Sequence, residues 1–238
     1  MGSFIQIVCG FSLVMLCTCA AADETPSGDS EGLSVSQWQQ LEAQSPKLRV
    51  QNWPGRVEAR RIDGLLWLAK GELESSAVAS DFLQRYGDLL GLKPGQLELD
   101  GIESTNSRTA VRFQQTLGGL PVLDGAVIVL LDSKRQVRSV VSYARPGLVL
   151  EDSGKDVGVT LAGKAAFSRV LGKGAQSRMP KQDGVWKGLV GKAVLASAGK
   201  ARVVYRVLVP TVPGIEKVVC LVDSATGKVL KVSNEVAK

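Results

Sequence analysis

The run Val111-Arg112-Phe113-Gln114-Gln115-Thr116-Leu117-Gly118-Gly119-Leu120-Pro121-Val122 decides the fold of this 238-residue chain. Phe113 and Gln115 alternate with Arg112 and Gln114, because successive side chains of an extended strand point to opposite faces. Gly118-Gly119 permits a positive-φ turn, and Pro121 sets the entry to a returning strand. Residues 127–131 are apolar, 132–136 are turn-like, and 137–141 (Val-Arg-Ser-Val-Val) follow as a further strand-like piece. The pattern predicts a hairpin followed by a further strand.

Working outward, four strands are expected in a row, at 96–103, 109–117, 126–132 and 136–143. Polar or glycine-rich turns separate them at 104–108, 118–125 and 132–135. Ahead of them, Val78, Phe82, Tyr86, Leu89 and Leu90 recur at three- and four-residue steps, which predicts a helix over 76–90. Ser75 or Ser76 can cap its start, Gly91 can take the left-handed stop position, and Pro94 follows. Further upstream, Val35, Trp38 and Leu41 mark a short helix over 34–44. Residues 47–51 and 56–62 are strand-like, Asp63-Gly64 is a hairpin turn signal, and 65–70 reads as the return strand. A helix followed by a meander implies a helix packed across an antiparallel sheet.

The logic repeats downstream of a linker at 146–158. Thr160 is placed to cap a helix through Leu171, with Leu161, Ala165, Ala166, Phe167 and Val170 as its apolar members. Strands are expected at 185–190, 192–197, 202–209, 216–223 and 228–233, with Ala225-Thr226-Gly227 as the last tight turn. The fold class is α+β: two units, each with a helix packed on an antiparallel β-sheet.

The 111–122 stretch resembles the FTP domain of thermolysin- and fungalysin-like metalloprotease propeptides. That family carries an R-F-Q-Q-x-x-x-G-x-P-V signature, matched here by Arg112, Phe113, Gln114, Gln115, Gly118, Gly119, Pro121 and Val122. A preceding helix and an L-G-L like Leu90-Gly91-Leu92 extend the likeness. The downstream unit resembles the PepSY domain that follows in such propeptides, through Tyr205-Arg206-Val207 and the turn residues Asp223, Thr226 and Gly227. Ser224 stands where that family usually has alanine, and D-x-x-T-G-K is also a generic hairpin turn. The resemblance implies a cystatin-like pair, FTP-like over 47–145 and PepSY-like over 159–238. It also implies a non-catalytic propeptide-like role: folding or inhibiting a thermolysin-like metalloprotease in trans.

The composition supports a non-enzyme. The chain contains no histidine at all, so a Ser-His-Asp device, a Cys-His pair and an HExxH zinc site are excluded within it. Hydrophobic residues make up 45% and charged residues 22%, which is the range of an ordinary globular protein. Net charge is +6, with −2 on residues 1–150 and +8 on residues 151–238. The lysines of the basic half are scattered and few aromatics accompany them, so a nucleic-acid partner is not expected. No cofactor is implied.

Residues 4–16 are mostly apolar and are followed by small residues to Ala22, the pattern of a secretory signal over 1–22, although Met1-Gly2-Ser3 carries no Lys or Arg. The run is shorter than the ~20 residues of a membrane span. A polar tether follows at 23–33, and 23–46 as a whole forms the lead into the first unit. The expected location is secreted or periplasmic. An alternative is a cell-envelope scaffold held by lipid on Cys19, since Leu16-Cys17-Thr18-Cys19 resembles a lipobox, with Thr18 departing from the preferred small residue. Cys9, Cys17 and Cys19 lie in this segment, which leaves Cys220 alone in an apolar run, read as a buried, inert thiol.

Among candidate site residues, Gln114 and Gln115 either bind a partner or tie the hairpin through backbone hydrogen bonds. Trp38, Trp53, Trp67 and Trp186 are read as packing residues. Asp124, Asp132 and Asp223 suit turns. The tail Asn234-Glu235-Val236-Ala237-Lys238 is the candidate protease-contacting segment, with a carboxylate able to approach a zinc ion.

Overall fold

The structure, a computed structural model, describes residues 29–45, 47–52, 54, 59–67, 73–93, 95–151, 154–172, 179–180, 185–186, 189–197, 199–210 and 217–235. Residues 1–22, read as a signal and including Cys19, lie outside these, as do Trp53, Pro94 and the last three tail residues. Helix α1 spans Asp29–Gln44, followed by strands β1 (Arg49–Asn52) and β2 (Ala59–Trp67). Helix α2 (Ser75–Tyr86) passes into a 3-10 turn at Gly87–Leu90 and stops at Gly91. The meander is β3 (Leu97–Ser104), β4 (Arg108–Leu117), β5 (Leu120–Asp132) and β6 (Val137–Ser142). A two-residue β7 (Val149–Leu150) precedes helix α3 (Val159–Leu171). The last strands are β8 (Val190–Ser197), β9 (Lys200–Pro210), β10 (Lys217–Asp223) and β11 (Val229–Glu235).

The strands form a mostly antiparallel sheet in the order β1-β2-β6-β5-β8-β9-β10-β11, with β3 and β4 branching from β5 and β7 lying against β9. Mixed α and β elements on such a sheet are consistent with the expected α+β class. β5 is the shared member. Its residues 126–132 lie between β4 and β6, whereas Val122 pairs in parallel with Val194 of β8. One core gathers Val78, Phe82 and Tyr86 of α2 with Ile62, Val111 and Val127 of the sheet. Another gathers Ala162, Ala166 and Phe167 of α3 with Tyr205, Val207 and Cys220. Each large apolar side chain so buried contributes about 1.5–3 kcal/mol.

The helices form where the apolar spacing places them. Phe82 and Tyr86 stack at 5.1 Å, and Trp67 meets Tyr86 edge-on at 6.0 Å. Trp38 and Leu41 of α1 pack on the same core, and Gln37 donates from Nε2 to the Arg85 carbonyl at 2.9 Å.

Several expectations need correction. Residues 29–33, read as tether, belong to α1. Asp63-Gly64 is no turn: β2 runs straight through it, held by Leu65 N donating to Ser45 Oγ and Ser139 Oγ donating to Asp63. The glycine-rich turn is only Gly118-Gly119, with φ of 59° and 73°, and β5 begins at Leu120 instead of 126. No serine caps α2, whose N-cap position is Glu74, and Gly158, not Thr160, precedes α3. The linker contains β7, which pairs with Lys200 and Ala201. Val185 and Trp186 are helical, not extended. There the Trp186 ring lies across Phe167 at 5.2 Å, so packing on α3 overrides the β-propensity of the segment.

Candidate functional site: the hairpin clasp and its surroundings

The β4–β5 hairpin carries the sequence motif, and the ladder between the two strands slips between Gln114 and Thr116. The slip is a bulge that turns two consecutive glutamines to use. Gln114 reaches across to the returning strand. Its Nε2 donates to the carbonyls of Val122 and Gly125, each at 2.7 Å, and lies 3.1 Å from the Gln115 carbonyl. Gln115 is buried and bonds a peptide 30 positions away: Arg145 N donates to its Oε1 at 2.8 Å, and its Nε2 donates to the Arg145 carbonyl at 3.0 Å. A glutamine amide has one carbonyl and two N–H donors, so it can pair with both main-chain groups of one residue.

Asp124 sits at φ 60°, where β5 bends between its two sets of partners. A Cβ on Gly125 would fall 2.8 Å from Gln115 Oε1 and 3.0 Å from the Val122 Cβ, so the amides close only over glycine. Val122 is fully buried with Val194 and Ala201. The two amides therefore clamp the bend of β5 and the exit of β6 into one polar joint. Phe113 faces the first core, and Arg112 faces away and pairs with Asp100 of β3 at 2.8 Å. Of the motif residues, Gln114, Gln115 and Val122 meet at the joint. Gly118 and Gly119 close the hairpin, and Pro121 lies opposite Thr116.

The second motif is local. Asp223 Oδ1 accepts from Ala225 N at 3.0 Å, Thr226 N at 2.9 Å and Thr226 Oγ1 at 3.0 Å, and Gly227 turns the chain into β11. Burial alone would raise the Asp223 carboxyl, but these hydrogen bonds and Arg202 hold it below the usual carboxylate range.

The sequence reading missed a third group, inside what it took for linker. Asp156 accepts from Tyr205 Oη at 2.6 Å, Gly158 N at 2.8 Å and Lys192 Nζ at 2.5 Å. Against the effect of burial, these donors hold its carboxyl down to about 2. Burial and the facing carboxylate push the Tyr205 phenol well above its ordinary value. A local signal was present: Asp-x-Gly before a helix is an Asx-type turn. The sequence reading also missed a cleft of about 280 Å³ between α2 and the β3–β4 edge, walled by Leu83, Leu92, Leu97 and Phe113 and rimmed by Asp88 and Lys93.

Cys220 is fully buried, and burial pushes its thiol up against the opposing influence of Arg169. Such a thiol is a poor nucleophile. Among the described residues, no group of three or more His, Cys, Asp or Glu side chains is arranged to hold a metal. None of their helices is long and apolar enough to cross a membrane. Of the candidate tail, Asn234 and Glu235 pair with Val218 and Lys217 as the last rungs of β11. Val236, Ala237 and Lys238 lie outside the described residues.

Residues 106–142 match the family model described as the Fungalysin/Thermolysin Propeptide Motif. The match covers β4, β5 and β6, the segment that contains both glutamines. No curated protein matches the chain. Among solved structures, the chain is similar to the YpeB C-terminal domain of Bacillus megaterium, at 9% identity and a TM-score of 0.40, over 90% of this chain and 99% of that one. It is also similar to a candidate lipoprotein from Clostridium difficile 630, at 11% identity and a TM-score of 0.25, over 70% of this chain and 96% of that one. Likenesses at these scores are too distant to carry a function.

Proposed function

We propose that the chain is an exported, non-catalytic propeptide-like protein that inhibits a thermolysin-like zinc metalloprotease in trans or assists its folding. The observation that carries this reading is the propeptide-motif match on 106–142. A propeptide motif is a folding and binding device, not a catalytic domain. In this reading residues 47–145 form an FTP-type unit and 159–238 a PepSY-type unit, joined by 146–158. The separate cores around α2 and α3 support the division. The partner would be met by surface complementarity, the +8 segment from residue 151 facing an acidic patch. Residues 234–238 would lie at the contact.

The test is to titrate a thermolysin-like protease with the purified chain, with and without pre-incubation, and to follow regain of activity when denatured protease is diluted into the chain. Saturable inhibition near one-to-one, or a raised yield of refolded protease, is the expected result. Steady digestion of the chain with neither effect would reject the protease reading. The envelope scaffold held by lipid on Cys19 would then be the reading to pursue, by mass spectrometry of membrane-extracted protein. Removal of residues 236–238 alone, which spares the β11 ladder, is expected to weaken inhibition.

A further inference from the structure

The sheet ends in two long strands that, among the described residues, are bonded on one side only: β3 to β4 and β11 to β10. They are matched in length, at eight and seven residues. A free edge of this kind is a template for another strand, and proteins usually blunt it with charge. The two edges differ in net charge, acidic on β3 and basic by one over 228–235.

β3 carries Glu98, Asp100 and Glu103 and no basic residue, whereas 228–235 carries Lys228 and Lys231 against one acid, Glu235, at its far end. The faces match as well. On the helix-bearing side, β3 presents Leu99 and Ile102, 52% and 47% exposed, opposite the core residues Phe113 and Val111. On its own helix-bearing side, β11 presents Val232, 45% exposed, opposite Cys220. On the reverse side, Glu98 and Glu103 flank β3, and Lys231 lies opposite Leu221 on β11. Asp100 is held by Arg112, but among the described residues the side chains of Glu98, Glu103, Lys228 and Lys231 have no ion-pair partner. Edges charged only to repel copies of themselves would carry one sign, because opposite signs attract one copy to the next.

We propose that β3 of one copy pairs edge to edge with β11 of a second copy, continuing the sheet head to tail. Leu99 and Ile102 then meet Val232 on one face, and Glu98 and Glu103 meet Lys231 on the other. The contact is heterologous, so a pair joined by it keeps one edge of each kind for the next copy, and the rotation between copies decides between a ring and an open chain. This inference stands apart from the protease reading and needs no protease to test.

Sedimentation velocity of the full chain over a concentration series tests it, with two charge-reversed variants, Glu98→Lys/Glu103→Lys and Lys228→Glu/Lys231→Glu. The expected result is a sedimentation coefficient that rises with concentration and association that weakens at least tenfold in either variant. It should recover when the two variants are mixed in equal amounts, since each then supplies an edge complementary to the other. Salt should weaken it, because exposed charges are screened beyond ~8 Å at physiological ionic strength. A monomer at every concentration, association indifferent to the reversals, or a mixture that stays dissociated would each overturn the proposal. If a reversed variant misfolds by circular dichroism, the neutral variants Glu103→Gln and Lys231→Gln and the salt series give the same decision.

Discussion

The two motif regions solve opposite problems. At the hairpin, Gln115 bonds the Arg145 peptide from 30 positions away, and Gln114 bonds the two carbonyls at the bend of β5. At the second turn, Asp223 hydrogen-bonds residues two and three positions ahead, and its one longer reach is an ion pair with Arg202 at 3.7 Å. Loop closure explains why the first pattern is the informative one. A side chain that bonds its near neighbour offsets little chain entropy and suits any hairpin, whereas a buried amide that saturates a distant peptide works in one topology. Gln-Gln before a glycine turn thus reports a fold, and Asp-x-x-Thr-Gly reports a corner.

Breaking the clasp is the largest test of that contrast. Gln115→Ala removes a buried side chain and takes their partner from the Arg145 N–H and C=O, at an expected cost of about 2–4 kcal/mol in global stability. Gly125→Ala attacks the same joint from the other side, forcing Gln115 or Val122 to move, at about 1–3 kcal/mol. Urea unfolding measures both. Because the two substitutions share one joint, their double variant should fall well short of the sum. Strict additivity would mean that the clasp is not a unit.

The corner should respond on a smaller scale. Asp223→Ala leaves two backbone N–H groups without their acceptor, at about 1–2 kcal/mol. Native-state hydrogen exchange distinguishes the two regions. Gln115→Ala should lower protection in β4, β5 and β6 together, and Asp223→Ala only in β10 and β11. Loss of protection in β5 on removing Asp223 would erase the distinction drawn here.

This contrast also explains what could be read from the residues alone. Val78, Phe82 and Tyr86 announce α2 because helical spacing is a local property, and the alternation from Arg112 to Gln115 announces β4 for the same reason. The pairing of Gln115 with Arg145 had no local signature, so the sequence left open whether the amides bind a partner or hold the hairpin. Asp63-Gly64 failed as a turn because Ser45 and Ser139 reward the extended path there. β7 and the helical Val185-Trp186 were hidden for the same reason: Lys200 and Ala201, and Phe167, lie far along the chain.

The Asp156 cluster tests an intermediate case, a residue whose acceptor geometry is local toward Gly158 but whose other donors, Lys192 and Tyr205, come from β8 and β9. Its carboxyl is depressed to about 2 in the folded chain, below the ordinary value it takes when unfolded. A depressed carboxylate contributes stability that is fully present above the unfolded value, near pH 4, and is lost as pH falls through the folded one, near pH 2. Asp156 and Lys192 are each about two-fifths exposed, so solvent screening reduces the contribution to about 1 kcal/mol. Asp156→Asn keeps an oxygen for Tyr205 but loses the charge. It should therefore lower stability by about that amount at pH 7, and the difference from the parent chain should shrink steadily as pH falls from about 4 through about 2. A constant difference across that range would mean that Asp156 acts through hydrogen-bond shape alone, as a local turn residue like Asp223, and that its charge does not tie the segment before α3 to the sheet.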